Sequence, residues 1–190
     1  MIYITRYLIV ILFIQSCAIV QPMDTPKIIK SLIFGVDQIE VTDSFFDEME
    51  YSFARVTIGR SASAILVLSS IDNGFYTWLG SNNERIITVD GKIIYTVGLQ
   101  HNINFLDFVS FKSPGTEYTH MLELYDPSAM IEIKLIHSLS EGLIVENFNS
   151  SVIDWHGENY YYLNKLGQIR MSVQHYHPMA PKVTIDFFFK

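Results

Sequence analysis

Cys17 is the only cysteine of the 190-residue chain and the side chain best suited to covalent attachment chemistry. One cysteine cannot form an intramolecular disulfide, and a thiolate metal site needs further ligands of the same kind nearby. An apolar stretch, residues 7–14, precedes it and is followed by Gln15 and Ser16, while Arg6 lies directly before the stretch. This arrangement indicates that the sulfur of Cys17 is a point of attachment for another group.

The N-terminal segment has the layout of a secretory signal. Its apolar stretch is too short to cross a bilayer, for which a helix needs about 20 residues. A small residue directly before the cysteine, with Ile14 two places further back, resembles the lipobox of bacterial lipoproteins. That resemblance implies cleavage after residue 16 and transfer of a diacylglycerol to Cys17, with further acylation such as palmitate on the new amino terminus. Two other interpretations stay open: an uncleaved membrane helix over residues 2–20, and a cleaved signal with an unmodified cysteine.

Three other groups of residues are candidates for catalytic or metal chemistry. His175 and His177 are two positions apart, so a strand would place both on one face, but no third metal ligand is identifiable. Hydrolysis of a sugar polymer needs two carboxylates across a cleft, and the acidic run of residues 43–50 is more typical of a solvated face. The serines of "TIGRSAS", residues 57–63, lie in strand-like sequence without a nucleophile elbow. We therefore predict no catalytic residue, no metal site and no cofactor.

Aromatic side chains provide the candidate ligand contacts. Aromatic faces stack on sugar rings, and Tyr and Trp add a hydrogen bond from the ring edge. Trp78, Tyr160 and Tyr162 are the candidates, although a tryptophan on a strand is more often part of the core. Tyr160 and Tyr162 share a face opposite Tyr161, so at least one side of that strand is expected to pack inward.

Composition limits the partners. The chain has 13 basic and 20 acidic side chains and a net charge of −7, and removal of Arg6 with the signal makes the remainder slightly more acidic. No basic patch is present, which argues against nucleic acid and against electrostatic attachment to anionic lipid. With 49% apolar and 14% aromatic residues, the chain is expected to fold into a globule.

The elements that position these residues are mostly strands. One short N-terminal helix is predicted from Pro26 to Gly35, where isoleucines and leucine recur at helical spacing, and residues 43–51 can hold a second turn of helix. The clearest local pattern is "IITVDGKIIYTV", in which two β-branched runs flank an Asp90-Gly91 hairpin turn. The predicted strands cover residues 51–60, 61–71, 75–81, the two runs of 86–97, 104–112, 118–125, 130–138, 142–148, 151–156, 158–164, 168–176 and 182–189.

This pattern predicts an all-β fold: a single antiparallel sheet, closed into a barrel or curled, with one short N-terminal helix. The run from Ala64 to Leu68 lacks alternation, so part of the sheet is expected to be covered on both faces, by the N-terminal helix. The predicted domain organisation is a signal peptide at residues 1–16, a lipidated N-terminus with a short linker at 17–26, and a β domain at 27–190.

Several segments resemble the group 4 capsule polysaccharide lipoprotein family, of the GfcB/YjbF type. They are "SLIFG", "QIEVT", "TWLGSNNERIITVDGKIIYTVGL", "YYLNKLGQIRMSVQ" and "PKVTIDFFFK", and the resemblance covers about residues 31–189. The most specific piece is the block from Trp78 to Leu99. The resemblance implies a β-barrel-like lipoprotein that works with capsule or exopolysaccharide export machinery. Its expected partners are the membrane, through the lipid anchor, and the export proteins or the polysaccharide itself.

Three functional classes follow. We favour a non-enzymatic accessory factor in polysaccharide assembly or export, anchored at the outer membrane on its periplasmic face; Ala18 stands where an aspartate often marks retention in the inner membrane. The alternatives are a periplasmic carrier of lipids or lipoproteins, marked by a large apolar pocket lined by Phe and Ile, and a polysaccharide hydrolase, marked by paired carboxylates in a groove. Fold alone does not decide among them.

Overall fold

Alternating burial along most strands shows that the sheet has one inward and one outward face. The computed structural model describes residues 39–108, 110–111 and 113–190, which belong to a compact unit spanning residues 37–190. In these ranges the chain has a helix, α1 (Asp43–Glu48), and twelve strands. The strands are β1 (Phe53–Ile58), β2 (Ala64–Asp72), β3 (Phe75–Leu79), β4 (Arg85–Val89), β5 (Lys92–Val97), β6 (Asn102–Phe105), β7 (Glu117–Tyr125), β8 (Ala129–Ser140), β9 (Leu143–Ser150), β10 (Trp155–Leu163), β11 (Ile169–Gln174) and β12 (Val183–Phe188).

The strands form a closed antiparallel barrel, which confirms the predicted fold class. Each strand pairs with its neighbour in sequence, and β1 closes the ring by pairing with β12. Arg55 lies opposite Asp186 across this seam, and its guanidinium donates to the Asp186 carboxylate at 2.9 Å. Closure leaves no strand of the barrel with an unpaired edge.

Helix α1 covers the outside of the seam. The Thr42 hydroxyl accepts a hydrogen bond from the Phe45 backbone N–H and caps the helix. Phe45 and Phe46 pack against Phe53, which stacks on Phe188 of the opposite strand at a centroid distance of 4.8 Å. Phe53 is therefore fully buried although it points outward.

Among the described residues, coverage on both faces of the sheet is observed at β1. In the predicted stretch, residues 64–68, Leu66 is buried while Ala64 is exposed. The expected helix over residues 26–35 lies outside the described residues. The aromatic face of α1 supplies the second layer, and it does so over the seam strands.

The Asp90-Gly91 turn forms the predicted hairpin between β4 and β5. Both residues have positive φ, 49° at Asp90 and 71° at Gly91. A register shift between Ile87 and Thr88 accompanies the turn. Gln174 then bonds both to the Gly91 carbonyl, at 2.8 Å, and to the Ile93 N–H, at 3.0 Å. Since β5 and β11 are not neighbours in the sheet, these bonds cross the barrel interior.

Two strand predictions were wrong. Residues 104–112 were expected to be a strand, but β6 ends at Phe105, and residues 106–108 and 110–111 are not in a strand. Phe108, which is buried against His120, and Phe111, which lies against Tyr161, are residue types common in strands that here pack from a loop. Residues 151–156 were expected to be a separate strand, but 151–154 form a turn and Trp155 begins the long strand β10.

Candidate functional site

The three aromatic candidates lie in two different places, and the predicted lipid attachment site, Cys17, lies outside the described residues. Trp78 on β3 is buried, with 1% of its surface exposed, and its indole N–H donates to the Thr88 hydroxyl at 2.9 Å. Tyr160 and Tyr162 are partly buried on β10, on the opposite face from the interior residue Tyr161. The structure therefore separates an interior candidate from an outer pair.

Tyr160 and Tyr162 lie on the outward face of β10, where Tyr160 contacts Glu158, a residue of a polar groove on the outside of the barrel. The Tyr160 hydroxyl donates to the Glu158 carboxylate, and the Lys182 ammonium lies 5.9 Å from the centre of its ring. The hydrogen bond to Glu158 raises the pKa of Tyr160, so the hydroxyl stays protonated at neutral pH. The groove, of about 700 Å³, crosses β7 to β10. Its polar lining comprises Glu117, Glu132, Lys134, Asn147, Asn149, Ser151, His156 and Glu158.

The barrel interior encloses a charged pair that sequence reasoning did not find. The Lys92 ammonium donates to the Glu146 carboxylate, and their side chains are 3% and 1% exposed. The same carboxylate oxygen accepts from Asn159 at 2.9 Å and from the Tyr161 hydroxyl at 3.2 Å. Lys92 also lies 5.0 Å from the centre of the Phe105 ring, where a cation–π contact adds stabilisation.

This cluster is a satisfied internal network. Burial, followed by the Glu146 charge, raises the pKa of Tyr161 well above its ordinary value, so Tyr161 acts as a hydrogen-bond donor. The partners are far apart in sequence, 54 residues between Lys92 and Glu146, which is why no local motif revealed them. A lysine within the β-branched run "KIIYTV" was the one available signal, because such a position faces the interior.

A cavity of about 590 Å³ opens at the end of the barrel that carries the β4–β5 and β10–β11 turns. Its volume lies within the range typical of small-molecule sites. Aromatic and aliphatic side chains form most of its wall: Leu68, Ile71, Tyr76, Trp78, Phe111, Ile144, Leu163, Ile169, Phe187 and Phe189. We call it the mouth cavity. It has the Phe and Ile lining expected of a carrier, but Ser52, Thr88, Asp90, Gln168 and Lys190 add polar and charged groups to the same wall.

The opposite end of the barrel holds a pair of stacked histidines. The His101 and His177 rings are 4.8 Å apart and nearly parallel, beside a smaller cavity of about 250 Å³ that His101 lines. The Met179 N–H donates to Nδ1 of His177, so Nε2 carries the proton of the neutral ring. This buried Nε2 has no hydrogen-bond partner among the described residues. Burial, and then the neighbouring His101, lower the pKa of His177 to about 4.

The other residues weighed for chemistry are dispersed. His175 is partly exposed and His177 is buried, and both follow β11 without sharing a strand face. The acidic side chains Asp43, Asp47 and Glu48 are exposed along α1. Within the described ranges, no group of three or more His, Cys, Asp or Glu residues is arranged to hold a metal ion. In the same part of the chain, no helix is long and apolar enough to cross a membrane.

Comparisons with known proteins agree with the resemblance. Residues 27–119 match the family described as group 4 capsule polysaccharide lipoprotein gfcB, YjbF. The crystal structure of the hypothetical lipoprotein YmcC from Escherichia coli (K12) superposes with a TM-score of 0.68 at 16% identity, covering 86% of this chain and 94% of that chain. At this identity the likeness shows the fold alone. No curated protein sequence is significantly similar to this chain.

Proposed function

We propose, from the match of residues 27–119 to the family of group 4 capsule polysaccharide lipoproteins, that the chain is a non-enzymatic accessory factor in the assembly or export of a capsule or exopolysaccharide. The family match is the observation that carries the proposal. The interior of the barrel supports the non-enzymatic role, because the buried Lys92 and Glu146 bind each other and Glu146 also accepts from Asn159. The family and the structural neighbour are both described as lipoproteins, without an enzymatic activity.

The proposed cellular location is the periplasmic face of the outer membrane. A signal at residues 1–16 is cleaved, and the chain is held there by acyl chains on Cys17. Two or more chains are needed, because a single acyl chain binds a membrane only marginally. The acidic chain has no basic patch to supplement this attachment.

The outer groove across β7 to β10 is the surface we assign to contact with the polysaccharide. Carboxylates and amides there provide hydrogen-bond acceptors and donors for hydroxyl groups. Tyr160, which bonds to the groove residue Glu158, and Tyr162 offer ring faces on the same side of β10. The interior cluster is buried and offers no such surface.

The role is tested by deleting the gene and measuring surface polysaccharide. We expect deletion to reduce or abolish it, and the wild-type gene to restore it. A Cys17→Ala variant should lose labelled fatty acid, leave the membrane fraction and fail to restore the polymer. A Cys17→Ala protein that still incorporates the label and still restores the polymer would contradict the anchoring.

The contact surface needs a separate variant. Tyr160→Ala combined with Tyr162→Ala is expected to reduce complementation while leaving membrane attachment and folding intact, because both side chains are partly exposed on the outer face. Purified protein incubated with the isolated polymer should release no shorter fragments. Detectable cleavage would overturn the non-enzymatic role in favour of a hydrolase.

A further inference from the structure

The wall of the mouth cavity combines apolar surface with polar atoms that already have partners. Thr88 accepts from the Trp78 indole at 2.9 Å. Asp90 accepts from the Phe111 N–H at 3.3 Å, and the side-chain amide oxygen of Gln168 accepts from the Asn164 side chain at 3.1 Å. These internal bonds occupy part of the hydrogen-bonding groups in the wall. An occupant therefore meets ten aromatic and aliphatic side chains together with polar groups, among them the charged residues Asp90 and Lys190.

The charges of the interior are kept apart from this cavity. Gly91 lies in the cavity wall, and the next residue, Lys92, directs its ammonium to Glu146. Gln174 bonds to the backbone on both sides of Lys92, at Gly91 and at Ile93, and so fixes this segment across the interior. An occupant of the cavity meets the backbone at Gly91 and not the buried ion pair.

The rim of the cavity also exposes apolar side chains to solvent. Ile71 is 57% exposed and Phe189 is 38% exposed, and both line the cavity. Leu166, beside the wall residue Gly167, is exposed as well. These side chains offer apolar contacts to a ligand at the rim, beside the charged wall residues Asp90 and Lys190.

From these observations we propose that the mouth cavity binds a single fatty acyl chain. The volume of about 590 Å³ fits the size of small-ligand sites, and a long flexible chain is the ligand class whose surface needs no hydrogen-bond partners. The ring of Trp78 lies in the wall beside the bound chain, with Phe187 next to it at a centroid distance of 5.4 Å. The site goes beyond the proposed role in polysaccharide export and stands or falls independently of it.

The two tryptophans of the chain provide an internal comparison. Trp78 lines the cavity, whereas Trp155 begins β10 at the opposite end of the barrel from the cavity residue Leu163. Eight steps along a strand separate the two ends of β10, roughly 26 Å. A quencher bound in the mouth cavity therefore reaches Trp78 and not Trp155.

The experiment uses the full chain with Cys17→Ala, which carries no acyl group of its own, and stearate brominated at mid-chain as the probe. In a Trp155→Phe background the remaining Trp78 emission should be quenched saturably, whereas unbrominated stearate should leave it unquenched. In a Trp78→Phe background the Trp155 emission should not change. Quenching of neither tryptophan, or of both alike, overturns the proposal.

Variants at the rim test the site without disturbing the core. Ile71→Glu and Phe189→Glu should each weaken stearate binding by about tenfold or more, since a charge beside apolar surface loses hydration when the chain enters. Val152→Glu is the matched control, because Val152 is 60% exposed and lies outside the cavity. The affinity of this variant for stearate should stay within about twofold of the parent, since its added charge keeps its hydration when the chain binds. Equal affinities in all three overturn the assignment. Protection of Trp78 by maltoheptaose identifies a sugar as the occupant and also overturns it.

Discussion

Lys92 and Glu146 show how one pair of residues fixes the interior of the barrel. Each charge is almost fully removed from water, and each is compensated by the other and by neighbouring dipoles or rings. Breaking a buried pair is far more costly than never having made it, because the remaining charge has no compensation. The pair is therefore expected to govern the stability of the fold more than any exposed ion pair does.

We expect Lys92→Met to lower the free energy of unfolding by about 3–5 kcal/mol, because Glu146 is left buried without its cation. Lys92→Met combined with Glu146→Gln should recover about half of the loss or more, since the amide oxygen still accepts from Asn159 and Tyr161. Urea unfolding followed by circular dichroism measures both.

The control for this pair is Lys134→Met. Lys134 and Glu117 form an ion pair at 3.5 Å with both side chains about half exposed. Its loss should cost less than about 1 kcal/mol. Equal losses for the Lys92 and Lys134 variants would show that burial of the interior pair has no energetic consequence.

His177 makes stability depend on pH. Its pKa is lowered to about 4 in the folded protein, from an ordinary 6.5, so the unfolded chain binds the proton more readily between these values. The stabilisation is complete above pH 6.5 and is lost as the pH falls towards 4, with an upper bound of about 3 kcal/mol. His101, which stacks on the ring, and Asp126, which opposes the shift, are the neighbouring groups.

His177→Gln should flatten the fall in unfolding free energy between pH 6.5 and 4, as measured by urea titrations at several pH values. His175→Gln should remove a smaller part, because burial lowers the pKa of that ring less. Identical pH slopes in wild type and His177→Gln would count against this explanation.

At the scale of elements, the β4–β5 hairpin combines a local turn with a long-range attachment. Gly91 has φ of 71°, and a Cβ there would lie 2.5 Å from Cγ2 of Ile169. Gly142, in the β8–β9 turn, has the same φ of 71° but nothing within 4 Å of the corresponding position. Replacing each glycine by alanine therefore separates two losses of stability. Gly142 reports the loss due to positive φ alone, and Gly91 adds the loss due to the contact with Ile169 of β11.

Gly142→Ala should cost about 1 kcal/mol, the cost of an ordinary residue at positive φ. Gly91→Ala should cost more, by about 1–3 kcal/mol, because the methyl group must displace Ile169 and the bonds to Gln174. Thermal unfolding of the two variants measures the difference. Equal shifts in Tm for the two variants would mean that the close contact between residue 91 and Ile169 of β11 adds no loss of stability.

Local patterns predicted the elements better than their contacts. The Asp90-Gly91 hairpin, most strands and the antiparallel fold followed from β-branched runs and turn residues. The end of β6 at Phe105 did not, because Phe108 and Phe111 are residue types typical of strands but pack into the interior from a loop. The Lys92–Glu146 pair and the mouth cavity depend on residues brought together only by barrel closure, which no single-sequence pattern encodes.

At the scale of the whole molecule, the seam between β1 and β12 closes the barrel. Six residue pairs join these strands, and α1 covers the seam from outside. Phe187 of β12 also contributes to the mouth cavity. Loss of β12 therefore opens the ring, exposes the edges of β1 and β11, and removes part of the cavity wall.

A chain ending after Pro181 should be insoluble or should bind the dye ANS strongly, since two strand edges and the apolar interior become exposed. Arg55→Met, which removes the ion pair across the seam and the hydrogen bond to the Ile39 carbonyl, should remain soluble and lose about 1 kcal/mol of stability. Solubility, ANS fluorescence and circular dichroism distinguish the two. A soluble, cooperatively unfolding truncation would show that closure is not required.

Ring closure also orders events in time. Every other ladder joins strands adjacent along the chain, whereas Arg55 and Asp186 are 131 positions apart. Pairings of short separation form early, and the one that closes the longest loop is slowed by chain entropy. A folding molecule thus passes through an open sheet in which β1 and β12 each have an unpaired edge. The lifetime of this intermediate sets how long its edges can pair wrongly with those of another molecule.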